Sequence, residues 1–265
     1  MNRSKVVVAT LATLLIPIAP LADAGSHDDH LHFAHPLFAE SPSPDTKIRT
    51  DYIFENERGG EGAETHTARL ELEYAIHPWI SIETDIPFTF RNPDDGRSGN
   101  NLDTIEIGVK LANFSLAEHG VLLGGGIEFG LPTGDSGEEI GSNHIFEVEP
   151  FLDFGFKREE VEVVGFLSAA VPTNKNGEDE ADVELGWNVS FLYHINRRAE
   201  VLLEFGGESI FGGEESGLST ANIAAGIKVA PTTNQNLKIG AGVALPISDV
   251  KLFHVRTIFS LFYHF

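Results

Sequence analysis

Apolar and polar residues alternate with a period of two along most of the chain from residue 46 onward. The segment 70–74, for example, reads L-E-L-E-Y, so that Leu and Tyr share one face and Glu occupies the other. Successive side chains of a β-strand point to opposite faces, and this alternation therefore predicts strands with one apolar and one charged face. The pattern recurs in about twelve segments and predicts an all-β fold.

The connections between these predicted strands alternate between short turns and long polar loops. Short turns are expected near residues 77–78, 115–120, 157–160, 196–198 and 231–236, and longer loops near 55–65, 91–102, 132–144, 172–182 and 207–218. Only the last outer connection, at 246–249, is expected to be short. Loops sorted in this way, with both termini on the short-turn side, are typical of a transmembrane antiparallel up-and-down β-barrel. The alternative, a soluble sandwich, would bury charged faces in a dry core. We therefore predict a barrel of about twelve strands over residues 46–265.

The last predicted strand is aromatic up to the final residue. Phe259, Leu261, Tyr263 and Phe265 share its apolar face, whereas chain termini are usually polar and frayed. This end resembles the C-terminal strand of bacterial outer-membrane barrels, where a final Phe and alternating apolar residues form the assembly signal. The resemblance implies that these four residues are an assembly signal, with the barrel-assembly machinery and outer-membrane lipid as partners. It also implies closure against the strand beginning near Thr46 and a location in the outer membrane of a Gram-negative bacterium.

The first 24 residues have the features of a secretory signal peptide. A basic start precedes an apolar run at residues 6–21 and the small-residue sequence A-D-A at 22–24, which predicts cleavage after Ala24. An N-terminal anchor helix is the alternative, but Pro17 and Pro20 interrupt the run. The net charge of −22 and the absence of cysteine suit an exported protein without disulfides. No nucleic-acid partner is expected.

The charged faces of the predicted strands are expected to line the lumen of the barrel. The predicted acidic lining consists of Glu71, Glu73, Glu83, Asp85, Glu106, Glu128, Glu147, Glu149 and Asp153. Unpaired carboxylates are not buried dry, and a barrel of about twelve strands is wider than the eight-stranded kind that side chains fill. We therefore expect a hydrated pore that favours cations. The alternative is a lumen closed by ion pairs between facing strands, which would not conduct.

Residues 25–45 show no periodicity and contain Pro36, Pro42 and Pro44. This composition predicts a flexible periplasmic arm. The arm also holds a group of histidines, namely His27, His30, His32 and His35. Imidazoles at this density can bind Zn²⁺ or Cu²⁺, although the spacing specifies no particular geometry. The arm is therefore either a metal-binding device or a polar linker with incidental histidines.

The sequence offers no catalytic motif. It contains no G-x-S-x-G, and Ser190 and His194 lie four positions apart on one strand face. That spacing corresponds to about 13 Å, which is too far for a bond between a nucleophile and its base. We therefore expect no enzyme activity and no resident cofactor beyond a metal ion on the histidine arm.

Three predicted strands end in a proline followed closely by Thr or Ser. Residues 130–135 read G-L-P-T-G-D, 172–174 read P-T-N and 245–249 read L-P-I-S-D. Proline ends a β-ladder, and Gly and Asp shape the turn that follows. These exits resemble those of a bacterial outer-membrane family named for the meta-pathway of phenol degradation, which is described as transporter-like.

The resemblance covers about residues 46–265 and assigns no binding residues. It implies passage of small molecules, such as aromatic compounds, across the outer membrane. The predicted function is therefore a channel for passive passage of small solutes. The alternative is a metal-binding accessory protein that uses the histidine arm.

Overall fold

The computed structural model describes residues 31–58, 62–93, 96, 98–175, 181–213 and 215–265. The predicted signal peptide at 1–24, and His27 and His30 of the predicted arm, lie outside these residues. In the described part of the chain, no helix is long and apolar enough to cross a membrane.

Thirteen antiparallel strands form one sheet over the described residues. They are β1 (Lys47–Glu57), β2 (Ala63–His77), β3 (Ile80–Pro93), β4 (Gly99–Leu102), β5 (Ile105–Asn113), β6 (Val121–Leu131), β7 (Phe146–Arg158), β8 (Val161–Thr173), β9 (Val183–Asn196), β10 (Ala199–Phe211), β11 (Ser219–Val229), β12 (Leu237–Pro246) and β13 (Phe253–His264). The short β4 and the longer β5 both pair with β3 and share one position in the wall. The result is a closed barrel with twelve strand positions, as the alternation predicts.

The barrel closes where β13 pairs with β1. Lys47 lies opposite His264, and Tyr52 lies opposite Phe259. Beyond the last strand, the Phe265 N–H donates a hydrogen bond to the Thr46 carbonyl oxygen at 3.1 Å. The predicted pairing of the final strand with the first is thus confirmed. Closure leaves the wall without the unpaired strand edge that lipid would not tolerate.

The two ends of the barrel differ in the length of their connections. At one end the links β2–β3, β7–β8 and β9–β10 leave only two residues between strands, and β5–β6 and β11–β12 leave seven. At the other end β6–β7 and β8–β9 are longer, whereas β10–β11 leaves seven residues and β12–β13 leaves six. We call these the short-turn end and the long-loop end. The first and last strands begin and finish at the short-turn end, as the sequence predicts for an outer-membrane barrel.

The outer surface of the wall is a belt of exposed apolar side chains. Leu152 is 65% exposed, and the four residues of the predicted assembly signal, Phe259, Leu261, Tyr263 and Phe265, are all exposed on the same surface. Such a large apolar surface is stable against lipid rather than water. The alternation of the strands therefore produces a transmembrane wall.

One residue near the long-loop end departs from this alternation. A register shift places Val255 opposite Asn56 but Phe253 opposite Glu57. This bulge changes which face of the sheet the side chains of the strand point to at this position. As a result Phe253 is buried and packs with Ala224 and Ala244.

The described part of the predicted flexible arm, residues 31–45, is instead packed inside the barrel. Phe33 and Leu37 are completely buried, and Ser41 and Asp45 are also buried. The expectation of flexibility rested on the lack of periodicity, which gives no information about contacts with distant strands. We call residues 31–45 the plug.

Candidate functional site

The plug is anchored in the lumen by two apolar side chains. Phe33 and Leu37 belong to one buried cluster with inward-facing residues of β6, β8, β9, β10 and β13, which are Leu122, Val164, Leu192, Leu202, Ile258 and Phe262. Burying an apolar side chain of this size stabilises a structure by on the order of 2 kcal/mol. The lumen is therefore apolar on the side where the plug docks.

Inward-facing glycines make room for these anchors. A β-carbon at Gly226, Gly240 or Gly242 would lie under 3.0 Å from a methyl carbon of Leu37. A β-carbon at Gly155 would lie 2.6 Å from the ring of Phe33. Because protein interiors are close-packed, side chains at these positions would exclude the plug.

Two carboxylates of the wall bind backbone N–H groups of the plug. Glu204 accepts hydrogen bonds from the N–H groups of Leu37 at 2.9 Å and Phe38 at 3.2 Å. Glu162 accepts one from the Ala34 N–H at 2.8 Å. The plug has no strand or helix of its own, so these bonds satisfy peptide groups that burial would otherwise leave without partners.

Basic side chains of the wall bind carbonyl oxygens of the plug. Arg49 donates to Leu37 at 2.5 Å, Lys157 donates to His32 at 3.1 Å, and Lys228 donates to His35. The plug is therefore held by charged groups spread around the wall. No single strand carries the docking interaction.

Ion pairs fill the lumen beside the plug, near the short-turn end. Lys47 lies 2.6 Å from Glu71 and 2.8 Å from Glu73, Lys110 lies 2.9 Å from Glu83, and Glu40 of the plug lies 3.3 Å from Lys110. Both lysine side chains are fully buried. Buried charges of this kind depend on their partners, because removing one partner leaves the other charge uncompensated. Here the lumen is charge-paired rather than an open aqueous pore.

A histidine cluster surrounds Asp45 at the base of the plug. Asp45 Oδ2 lies 2.6 Å from His264 Nδ1, 3.4 Å from His35 Nε2 and 3.7 Å from His32 Nε2. Burial, reinforced by nearby Lys47, lowers the pKa of His35 well below its ordinary value. Burial opposes ionisation of Asp45, but hydrogen bonds from His264 and His35 hold the pKa of Asp45 well below its usual range.

Of the four histidines proposed for metal binding, the structure describes His32 and His35. Within the described ranges, no group of three or more His, Cys, Asp or Glu side chains is arranged to hold a metal ion. Metal binding by the arm stays a prediction, which also depends on His27 and His30.

A cavity of about 370 Å³ lies between the plug and the long-loop end. Carboxylates from four neighbouring wall positions line it, namely Asp85, Glu106, Glu128 and Glu149. Phe38, Ala39 and Glu40 of the plug contribute to its lining, together with Phe166, Phe253 and Arg256 of the wall. The cavity is therefore both acidic and aromatic.

The structure divides the nine predicted lumen carboxylates into groups. Asp85, Glu106, Glu128 and Glu149 line the cavity, whereas Glu71, Glu73, Glu83 and Asp153 are buried. Glu147 lies opposite Gly130, toward the long-loop end of β7. Sequence reasoning missed the acidic group that the plug brings to the cavity, Glu40, because it expected that segment outside the barrel.

Ser190 and His194 have separate partners. Ser190 donates a hydrogen bond to Glu204 at 2.9 Å, and His194 Nε2 lies 2.8 Å from Glu162. Each side chain supports the wall carboxylates that hold the plug.

The closed wall, its apolar belt and its charged interior define a transmembrane β-barrel of the outer-membrane type. Its fold is similar to that of an outer membrane channel from Pseudomonas putida F1, with a TM-score of 0.67 and 14% sequence identity over 92% of this chain and 100% of that chain. It is also similar to the KdgM porin in complex with disordered oligogalacturonate, with a TM-score of 0.56 and 9% identity over 83% of this chain and 99% of that chain.

The NanC porin is a third similar structure, with a TM-score of 0.54 and 9% identity over 83% of this chain and 98% of that chain. At these identities the likeness shows the fold. No family model and no curated protein matches the chain. The resemblance to the phenol meta-pathway family therefore stays a prediction.

Proposed function

We propose that the protein is an outer-membrane channel for passive passage of small solutes and that its acidic lumen favours cations. The observation that carries this proposal is the acidic cavity of about 370 Å³ inside a closed barrel. Carboxylates that line a narrow passage attract cations and repel anions. The likeness of the fold to channels and porins supports the same function.

In this proposal the plug closes the channel and moves to open it. The plug precedes β1 and is not part of the wall, so its displacement would widen the lumen without breaking a strand pair. The glycines beside Leu37 would then line the vacated space. Opening thus requires only the loss of the plug contacts, and the barrel stays intact.

The test uses purified mature chain in planar bilayers. The chain contains no cysteine, and Leu37→Cys with Gly242→Cys therefore introduces one defined pair at a close contact between plug and wall. We expect oxidation of this pair to lower the conductance and reduction to restore it. Each single variant is the control and should not respond to the redox state. A well-inserted barrel that stays insulating under reducing conditions would contradict the proposal.

Ion selectivity is the second measurement. We expect a reversal potential that indicates cation preference under a salt gradient. Replacing Glu106, Glu128 and Glu149 together with Gln should reduce this preference. The matched control replaces three exposed carboxylates outside the lumen with Gln, namely Glu118, Glu159 and Glu215. An equal effect of both triple variants would show that lumen charge does not set selectivity.

A further inference from the structure

A small inner chamber of about 20 Å³ adjoins the acidic cavity. Its lining consists of Gly108 and six acidic side chains, which are Glu40, Glu71, Glu83, Asp85, Glu106 and Glu128. A chamber of this volume accommodates a group the size of one water molecule.

Carboxylate oxygens of this lining are buried without a hydrogen-bond donor in the described structure. Glu83 is only 7% exposed, and its Oε2 lies 2.9 Å from Lys110 Nζ. Its Oε1 accepts no hydrogen bond from the described residues. A β-carbon at Gly108 would lie 2.9 Å from this oxygen, so the oxygen points toward the chamber. Asp85 Oδ1 is likewise buried without a donor in the described structure.

The acidic groups of the lining outnumber the basic groups that pair with them. Lys47, Arg49, Arg69 and Lys110 lie within 4.0 Å of acidic groups of the lining. In the described part of the chain, no basic group lies within 4.0 Å of Glu106 or Glu128. A buried oxygen without a donor, in surroundings with more acidic than basic groups, fits a positively charged hydrogen-bond donor.

The chamber and the larger cavity are neighbours, because Glu40, Asp85, Glu106 and Glu128 line both. The larger cavity adds the aromatic rings of Phe38, Phe166 and Phe253. Carboxylates next to aromatic rings suit an organic cation, whose charge is attracted by both and whose body packs on the rings. Inorganic cations would leave the aromatic surface unused.

We propose that the lumen binds small organic cations that carry a primary ammonium group. The ammonium enters the inner chamber and donates hydrogen bonds to Glu83 Oε1 and Asp85 Oδ1, while the body of the molecule lies in the larger cavity. A primary ammonium is compact and has three donors. The inference rests on the proposed channel function and names its substrate class.

The test compares three probes by calorimetry on the purified mature chain. The first is 2-phenylethylamine, which is charged and has three N–H donors at neutral pH. The second is its N,N,N-trimethyl derivative, which keeps the charge but lacks donors and is too bulky for the chamber. The third is 2-phenylethanol, which has a hydroxyl and no charge. We expect the amine to bind at least about tenfold more tightly than either analogue.

Two variants change the chamber in different ways. Gly108→Ala fills the space, because the added carbon would lie 2.8 Å from a carbon of Glu128, and Glu83→Gln removes the charge. Each should weaken amine binding by about tenfold. Gly130→Ala and Glu147→Gln are the matched controls, since neither residue lines the chamber or the larger cavity. Both controls should stay within about twofold of the parent chain.

Circular dichroism of each variant establishes that the barrel has folded. Equal affinity for the amine and its trimethyl derivative would overturn the proposal, since charge alone would then explain binding. Unchanged binding in folded Gly108→Ala would overturn it as well. Conductance on the same preparations separates this inference from the proposed function. A chain that conducts without amine preference refutes the inference alone, and one that binds the amine without conducting refutes the channel alone.

Discussion

His264, the penultimate residue, places its Nδ1 2.6 Å from Oδ2 of Asp45 and so joins the closing strand to the base of the plug. Asp45 also contacts His35 and His32, and Lys47 lies beside His35 at 3.0 Å. These five groups form the polar base of the plug. Docking of the plug should therefore depend on the protonation of the buried His35 and Asp45.

We expect acidification to weaken docking. The pKa of His35 is lowered by burial from its usual value of 6.5, so a released plug binds a proton on this residue more readily than a docked plug does. Linkage then requires that docking weakens as the pH falls below 6.5. The pKa of Asp45 is held low in the docked state, so protonation of Asp45 at lower pH weakens docking further.

Conductance recorded between pH 7.5 and 5 checks this expectation. We expect the conductance to increase as the pH falls. His35→Gln keeps a polar side chain that does not titrate in this range. This variant should show a weaker dependence of conductance on pH. His119→Gln is the control, because His119 lies exposed in the β5–β6 turn. A parent chain whose conductance falls on acidification would contradict the sign of the effect.

Gly240→Val should expel Leu37 from its recess. Overpacking of this kind costs about 1–3 kcal/mol, which raises the ratio of undocked to docked plug by about 5- to 150-fold. Open-channel probability in planar bilayers measures the change. Leu37→Ala in the same chain relieves the clash, so the two substitutions should be non-additive. Strict additivity would show that Gly240 does not face Leu37 in the membrane.

Glu204→Gln should loosen the middle of the plug. Glu204 accepts hydrogen bonds from two backbone N–H groups of the plug and from the Ser190 hydroxyl. Loss of the Glu204 charge should weaken docking by about 1–2 kcal/mol. A single thiol introduced by Ala34→Cys reports docking through its rate of maleimide labelling. The rate should rise with Glu204→Gln and stay unchanged with Glu208→Gln, a control four residues further along β10 on the same face. Equal rates in both variants would exclude Glu204 as a plug contact.

Phe265→Asp should impair membrane insertion. Phe265 is 52% exposed at the short-turn end and packs edge-on against Tyr263 with ring centroids 5.1 Å apart. A carboxylate there would face the lipid interface at an energetic cost. We expect a several-fold drop in barrels recovered from outer membranes, with Phe265→Leu close to the parent. Inserted barrels should conduct normally, and a change in their conductance would instead place Phe265 in transport.

The wall could be predicted from sequence because alternation is a local property. Segment 70–74 shows its two faces without reference to any other strand. The plug could not be predicted in this way, since its contacts join residues far apart. Ala34 and Glu162 are 128 positions apart, and Leu37 and Glu204 are 167 apart.

A signal for the plug was nevertheless present in the strands. Gly155, Gly226, Gly240 and Gly242 occupy inward positions in segments that otherwise alternate regularly. Inward positions without side chains leave space that another part of the molecule can fill. The acidic lining was predictable as a set of inward residues. The sequence did not predict which of these carboxylates form ion pairs and which line the cavity, because this depends on the position of Glu40 in the plug.

The docking surface of the plug includes Ile258 and Phe262 of the last strand. That surface is complete only when β13 has paired with β1, since both residues belong to the final twelve-residue strand. The N-terminal segment is synthesised first but must therefore dock last. A partly assembled barrel therefore lacks part of the docking surface, and the plug occupies the lumen only once the wall has closed.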